Sequence, residues 1–206
     1  MKAVFLDIDG TLYRNSDYEQ HLLTSAVYVI AECLGLDRAE AFKKLYETKK
    51  VYKTVSKSVE VLGIDRHKFY SLLAEKVQPC RYLSPDPLLK QFFAAVKGRR
   101  LFVGLHTNSG KMLALKVLDC LGVDDGCYDV LVTSDDAEPK PSIEGFRLLL
   151  SMADVSPEDA LYVGDRCEVE LEPAKRIGMR TAAIHISGCP YADIHLNSLQ
   201  DLLHII

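Results

Sequence analysis

The chain has 206 residues, 48% of them hydrophobic and 26% charged, which suits one large domain or one domain carrying an insertion. A formal net charge of −4, with no Lys/Arg-rich run, argues against a polyanion-binding surface. The six cysteines are scattered without a CxxC pair, so neither a zinc site nor a disulfide framework is expected.

The first element is the apolar run Ala3 to Leu6, too short for a helix and suited to a buried parallel strand. It stops at Asp7, Ile8, Asp9, Gly10 and Thr11, delivering two carboxylates to the strand end where ligands of open α/β sheets bind. Acids held this close suit a nucleophile, a proton donor or a hard cation. Met1 leads directly into this strand, leaving no room for a secretory leader, and no apolar stretch has the length of a membrane span. A reducing cytoplasm is the expected location.

Residues 15–83 change to helical spacing. Ser16 with Glu19 reads as a capping box for a helix carrying Leu22, Leu23, Ala26, Val27, Ile30 and Leu34, which Gly35 stops. Asp37 opens a second helix, Val55, Val59 and Leu62 mark a third, and Asp65 caps a fourth. This is far more helix than a crossover between parallel strands requires, so the segment reads as an inserted helical subdomain.

Five further strands follow. Leu101 to His106 is apolar and ends in Thr107, Asn108, Ser109 and Gly110 before a helix from Lys111. A hydroxyl beside unpaired helix N-terminal amides is a favourable anion site. Asp129 to Thr133 leads to Lys140-Pro141 and a helix with Phe146; Ala160 to Val163 leads to Gly164-Asp165 with Glu168, Glu170 and Glu172 beyond. Arg180 to Ile184 is a fifth strand, and Ile194 to Leu196 a sixth. Strands alternating with helices imply an α/β fold with a parallel sheet covered on both faces.

These units, DIDGTLY, a strand-terminal Thr107, KPSIEGF and GDRCEVE in that order, resemble the four motifs of the haloacid dehalogenase superfamily along the whole chain. The resemblance implies a Rossmann-like core of residues 1–14 and 84–206, strand order 5-4-1-2-3, and a helical C1 cap over 15–83. It implies that Asp7 attacks a phosphoryl group, that Asp9 is the general acid and base, and that Lys140 neutralises charge. Thr107 and an Asn108 amide would bind the phosphate, while Asp7, the Asp9 backbone carbonyl and Asp165 would hold Mg2+. Three positions depart from the pattern: Glu170 stands where Asp is usual, Arg166 where a small polar residue is common, and Pro173 where Gly is usual. Glu170 is accordingly expected to act through a water or a neighbouring amide, because magnesium tolerates little departure from octahedral geometry.

The function implied is magnesium-dependent hydrolysis of a small phosphorylated metabolite through an aspartyl-phosphate. DIDGTLY with Thr107, Asn108 and Lys111 looks somewhat like the pyrimidine 5′-nucleotidase branch, which would make the substrate a nucleoside 5′-monophosphate; phosphoglycolate and sugar phosphates are alternatives. A sugar phosphotransferase or phosphomutase, and a non-catalytic binding module that keeps the fold, are the competing readings. Expected partners are a small metabolite, with no nucleic acid polymer and no membrane, for a monomer or homodimer. His106 and Cys167 lie close to these motifs; the first is expected to be structural, and nothing marks the second as reactive. Tyr13, Tyr18, His21, Tyr46 and Tyr52 are candidates to face the substrate, with core or surface placement the commoner fate of such residues.

Overall fold

The computed structural model describes residues 1–206. Six parallel strands, β1 (Ala3–Asp7), β2 (Phe102–His106), β3 (Val130–Val132), β4 (Ala160–Gly164), β5 (Arg180–Ile184) and β6 (Ile194–Leu196), form one sheet in the order β3-β2-β1-β4-β5-β6. This is the expected order 5-4-1-2-3 with the sixth strand added beside β5. Every residue of β1 is buried, as its continuous apolar run requires. β1 sits between β2 and β4, where the strand order reverses, so its C-terminal residue Asp7 opens into the crevice at the topological switch point.

The pleat divides β1 between two cores. Val4 and Leu6 point into the larger apolar cluster with Val103, Leu105, Phe92 and Phe93, whereas Ala3 and Phe5 point into a smaller one with Tyr162, Phe146 and Leu149. Helices α5 (Pro87–Gly98), α6 (Lys111–Leu121) and α9 (Leu199–Leu202) contribute to the first face, and α7 (Glu144–Ala153) and α8 (Glu172–Arg176) to the second. Gly104 lies in the middle of β2 because a Cβ there would stand 2.7 Å from the Phe5 ring and 2.8 Å from Leu149.

Between β1 and α5 lie α1 (Ser16–Leu34), α2 (Arg38–Tyr52), α3 (Val55–Val61) and α4 (Arg66–Lys76). Asp37 and Asp65 cap α2 and α4 as read from sequence, and Gly35 ends α1 in the left-handed conformation. The capping box at Ser16 and Glu19 is corrected: Asn15 is the N-cap of α1, its side chain accepting from the Tyr18 N–H at 2.9 Å. Asn and Ser cap equally well, and the extended backbone of Asn15 turns its amide onto the helix end one residue earlier. Val27, Ile30, Phe69 and Leu73 from these helices share the larger cluster with Val4 and Leu6, so the insertion and the sheet have apolar burial in common. No helix is long and apolar enough to cross a membrane.

The expectation of unpaired cysteines is also corrected. Cys80 is bonded to Cys120 and Cys167 to Cys189, across sequence separations of 40 and 22 residues. Such pairs have no local spacing to betray them; the fold brings the Cα atoms to 5.0 and 5.6 Å. Cys33 and Cys127 are free.

Candidate active site

Asp7 is the last residue of β1 and is buried, and the loop after it doubles back through Gly10 at φ +98°. A side chain at Gly10 would collide with the Asp165 carboxylate, so this glycine answers both the left-handed turn and the close approach of a second acid. Lys140 reaches Asp7 from the loop after β3. Its ammonium, 1% exposed, donates to Asp7 Oδ1 at 2.5 Å, Glu170 Oε1 at 3.0 Å, the His106 carbonyl at 3.1 Å and the Tyr162 hydroxyl at 3.2 Å. Burial opposes its charge, but Asp7 and Glu170 outweigh burial and hold its pKa well above the ordinary lysine value. The Asn108 side chain fixes the Lys140 backbone from both sides, accepting from its N–H at 2.7 Å and donating to its carbonyl at 2.9 Å. Asn108 thus positions Lys140 with its side chain, while its own backbone N–H has no acceptor within the chain.

Three carboxylates converge beside that ammonium. Asp165 follows β4, and Glu170 comes from the π-turn Cys167–Leu171 that precedes α8. Oxygen atoms of Asp7, Asp165 and Glu170 lie within 4.8 Å of one another. The turn folds Glu170 back onto Gly164, where a Cβ would collide with its carboxylate. Glu170 Oε2 accepts from the Arg166 N–H at 3.2 Å, so both its oxygens are already engaged. Asp7 Oδ2 and Asp165 Oδ1, by contrast, are buried without a hydrogen-bond partner. Burial, and then the charge of Asp7, raises Asp165 to about 6 and pushes Glu170 above the ordinary carboxylate value, while the Lys140 charge opposes the shift in both. The orphaned Asp165 oxygen, crowded against the carboxylates of Asp7 and Glu170, is the hard anionic setting that a divalent cation such as Mg2+ requires, so the residues present fit the expected metal.

Asp9 stands apart from that trio. The Tyr13 hydroxyl donates to its Oδ1 at 2.5 Å, and the Thr107 hydroxyl to its Oδ2 at 3.1 Å. Burial and the neighbouring Asp7 raise its pKa despite those bonds, which favours a protonated carboxyl. Thr107 hangs from the end of β2, its backbone N–H bonded to the Val132 carbonyl at 3.0 Å. Of the aromatic candidates, Tyr13 reaches the acid, Tyr18 is buried in the core, His21 stacks on Tyr82, and Tyr46 and Tyr52 are exposed. Cys167 is held in its disulfide.

A cavity of about 630 Å³ lies between the sheet edge and the insertion. Asp7, Asp9, Thr107 and Lys140 form its floor, and Leu22, Leu23 and Ala26 of α1 part of its apolar wall. Polar contacts close its sides: Ser56 Oγ donates to the Asn108 carbonyl at 2.9 Å, Arg166 donates to the Lys53 carbonyl at 2.6 Å, and Lys53 is ion-paired with Glu168. Sequence reasoning missed Ser56, Lys53 and Tyr162, and read Tyr13 only as one tyrosine among several. The one available signal was Tyr162, a polar tip in the middle of a fully buried strand that must find a partner.

His106 is structural, as expected. Its ring is buried, packs edge-on against Phe146 at 4.8 Å and lies 3.3 Å from the Tyr162 hydroxyl. Burial and the Lys140 charge hold its pKa well below 6.5, so the unfolded chain binds the extra proton first as pH falls. The His106 contribution to stability is therefore present above about pH 6.5 and lost below it, with a slope of at most about 1.4 kcal/mol per pH unit. Urea unfolding at pH 7 and pH 5 should show a smaller pH-dependent loss for His106→Gln than for the parent chain, whatever the variant's absolute stability; equal losses would rule this out.

The model of the haloacid dehalogenase-like hydrolases matches residues 1–178. Relatives include a glyceraldehyde 3-phosphate phosphatase of Methanocaldococcus jannaschii, 26% identical over 100% of this chain and 97% of the relative. A phosphoglycolate phosphatase of Aquifex aeolicus is 28% identical over 88% and 84%, and the pyrophosphatase PpaX of Bacillus thuringiensis 26% identical over 100% and 96%. A HAD phosphatase from Thermococcus onnurineus superposes with a TM-score of 0.75 at 25% identity, covering 100% of this chain and 97% of that one. The 2-haloacid dehalogenase of Pseudomonas syringae shares the fold, with a TM-score of 0.66 at 16% identity and coverage of 100% and 97%. The chain belongs to the haloacid dehalogenase-like hydrolase family and is one of its phosphatases.

Proposed function

We propose that this phosphatase hydrolyses a small phosphorylated metabolite through an aspartyl-phosphate on Asp7, with Mg2+ as cofactor. The observation that carries the reading is the asymmetry of the Asp7 carboxylate: Oδ1 is fixed by Lys140, whereas Oδ2 is buried and unpartnered. An oxygen so placed is a preorganised nucleophile. Asp7 Oδ2 attacks phosphorus, the bond from phosphorus to the ester oxygen breaks, and Asp9 gives that oxygen its proton. Asp9 then takes a proton from water as the water oxygen attacks phosphorus, the bond to Asp7 breaks and phosphate leaves. Lys140, the Thr107 hydroxyl and the Asn108 N–H hold the non-bridging oxygens as charge redistributes. Mg2+, held by Asp7, the Asp9 backbone carbonyl and Asp165, would offset the repulsion between carboxylate and phosphate.

The Thr107 hydroxyl has a single proton, now directed at Asp9 Oδ2. Redirecting it to a phosphate oxygen strips Asp9 of one of the bonds that favour its charged form, so substrate binding itself promotes the protonated carboxyl that the first step needs.

The chemistry is tested by Asp7→Asn, which should reduce phosphate release from a panel of phosphomonoesters to background, roughly 10⁴-fold or more below the parent. The panel includes a nucleoside 5′-monophosphate, 2-phosphoglycolate and a triose phosphate. Near-parental turnover, or trapped phosphate on another residue, would remove the mechanism.

The cofactor is tested without turnover, by calorimetric titration with Mg2+. Asp165→Asn should weaken binding far more than Glu170→Gln, because Glu170 is committed to Lys140 and the Arg166 amide while Asp165 Oδ1 is free. Equal losses would place Glu170 among the ligands.

Residues 15–83 act in this reading as a lid that excludes water and large substrates. Support comes from their position above Asp7 and from the ties of Ser56, Lys53 and Arg166 across the cavity. The intact chain should turn over small monophosphates well and a folded phosphoprotein poorly; the reverse preference would refute the lid.

A further inference from the structure

Arg166 and Lys49 are charges that the mechanism above does not use. Both line the cavity, Arg166 from the loop after β4 and Lys49 from the last turn of α2. The other two cations that line the cavity are neutralised, Lys140 by Asp7 and Glu170 and Lys53 by Glu168. Neither Arg166 nor Lys49 forms a salt bridge. Glu19, exposed on α1, also lines the cavity and pairs with neither.

Arg166 is not loose. Its backbone N–H is bonded to Glu170, and one guanidinium nitrogen donates to the Lys53 carbonyl at 2.6 Å, which leaves its remaining donors without a committed acceptor. Lys49 senses it: burial, and then the Arg166 charge, lowers the Lys49 pKa. Two like charges that repel each other at the wall of a half-enclosed cavity are stabilised by an anion placed between them, where field lines are focused away from bulk water.

We propose that Arg166 and Lys49 bind a second anionic group of the substrate, so that this phosphatase selects a phosphoryl compound carrying a carboxylate or a second phosphate over one whose remainder is uncharged. The inference rests on the phosphatase reading and narrows its substrate class. Arg is suited to the task because its planar fork meets a carboxylate or phosphate with paired hydrogen bonds, and Lys49 adds a mobile point charge. The same cavity holds Asp7, Asp9 and Thr107 at its floor, so one small molecule can present its scissile phosphate below and its second charge at the wall.

The test is kcat/KM, with Mg2+ present, on 2-phosphoglycolate, on pyrophosphate and on glycerol 1-phosphate, for the parent chain and for Lys49→Met, Arg166→Met and Lys49→Arg. The carboxylate and phosphate arms identify which second anion is read. At least one doubly anionic compound should exceed glycerol 1-phosphate by about tenfold or more. That ratio should fall by about tenfold in Lys49→Met and in Arg166→Met, and be retained in Lys49→Arg. A parent that treats glycerol 1-phosphate as well as both anionic compounds overturns the inference. So do variants that lower all three substrates by one common factor, the signature of a merely structural role. A parent that turns over other phosphomonoesters of the panel but none of these three overturns the inference alone, whereas a parent that hydrolyses no phosphomonoester at all sinks the phosphatase reading and the inference with it.

Discussion

A single buried ammonium holds this active site together. Lys140 sits almost without solvent between Asp7 and Glu170, and an isolated charge there would cost several kcal/mol in lost hydration. Two carboxylates, a carbonyl and a hydroxyl supply four acceptors, and the ammonium in turn allows two acids to stay close beneath the sheet edge. Strand β1, the end of β2, the loop after β3, strand β4 and the turn after β4 each bring one of the groups involved. Removing the cation would therefore do more than delete a catalytic group, since it would leave Asp7 and Glu170 buried without compensation.

The fold was legible because buried parallel strands write continuous apolar runs, and three of the six runs here lead into a candidate site residue, Asp7, Thr107 or Asp165. Lys140 was legible only through its resemblance to a known motif, since a lysine before a helix is ordinarily a solvated group. The rest depends on tertiary geometry that leaves no local trace. Nothing in the spacing of CEVEL announces a π-turn that returns Glu170 to Lys140 and Gly164, and nothing in DIDGTLY shows that Tyr13 closes on Asp9. The exchange of Asn15 for Ser16 as helix cap is a local competition between equivalent residues, which sequence alone does not rank.

The insertion is joined to the sheet by two kinds of contact with different consequences. Toward α6 the union is apolar: Tyr70 and Leu73 belong to the same cluster as Leu113 and Val117, reinforced by the bond from Lys116 to the Ala74 carbonyl. Toward the loop after β4 it is polar, through Arg166, Glu168 and Lys53. Exposed ion pairs contribute little to stability, whereas shared apolar burial is costly to undo. The molecule is thus firm on one flank and weakly fastened on the other, with the cavity between.

The bond from Cys80 to Cys120 adds geometry to that asymmetry. Cys80 lies near the chain exit of the insertion and Cys120 at the end of α6, so the firm flank is anchored covalently at one corner. Any excursion of α1 to α4 is then a rotation with a fixed point rather than a translation. Its amplitude is smallest beside Cys80 and greater away from it, as at the junction of α2 and α3, where Lys53 is paired with Glu168. The rotation opens widest, in other words, beside Lys49 and Arg166, where the wall of the cavity carries its unpaired positive charges.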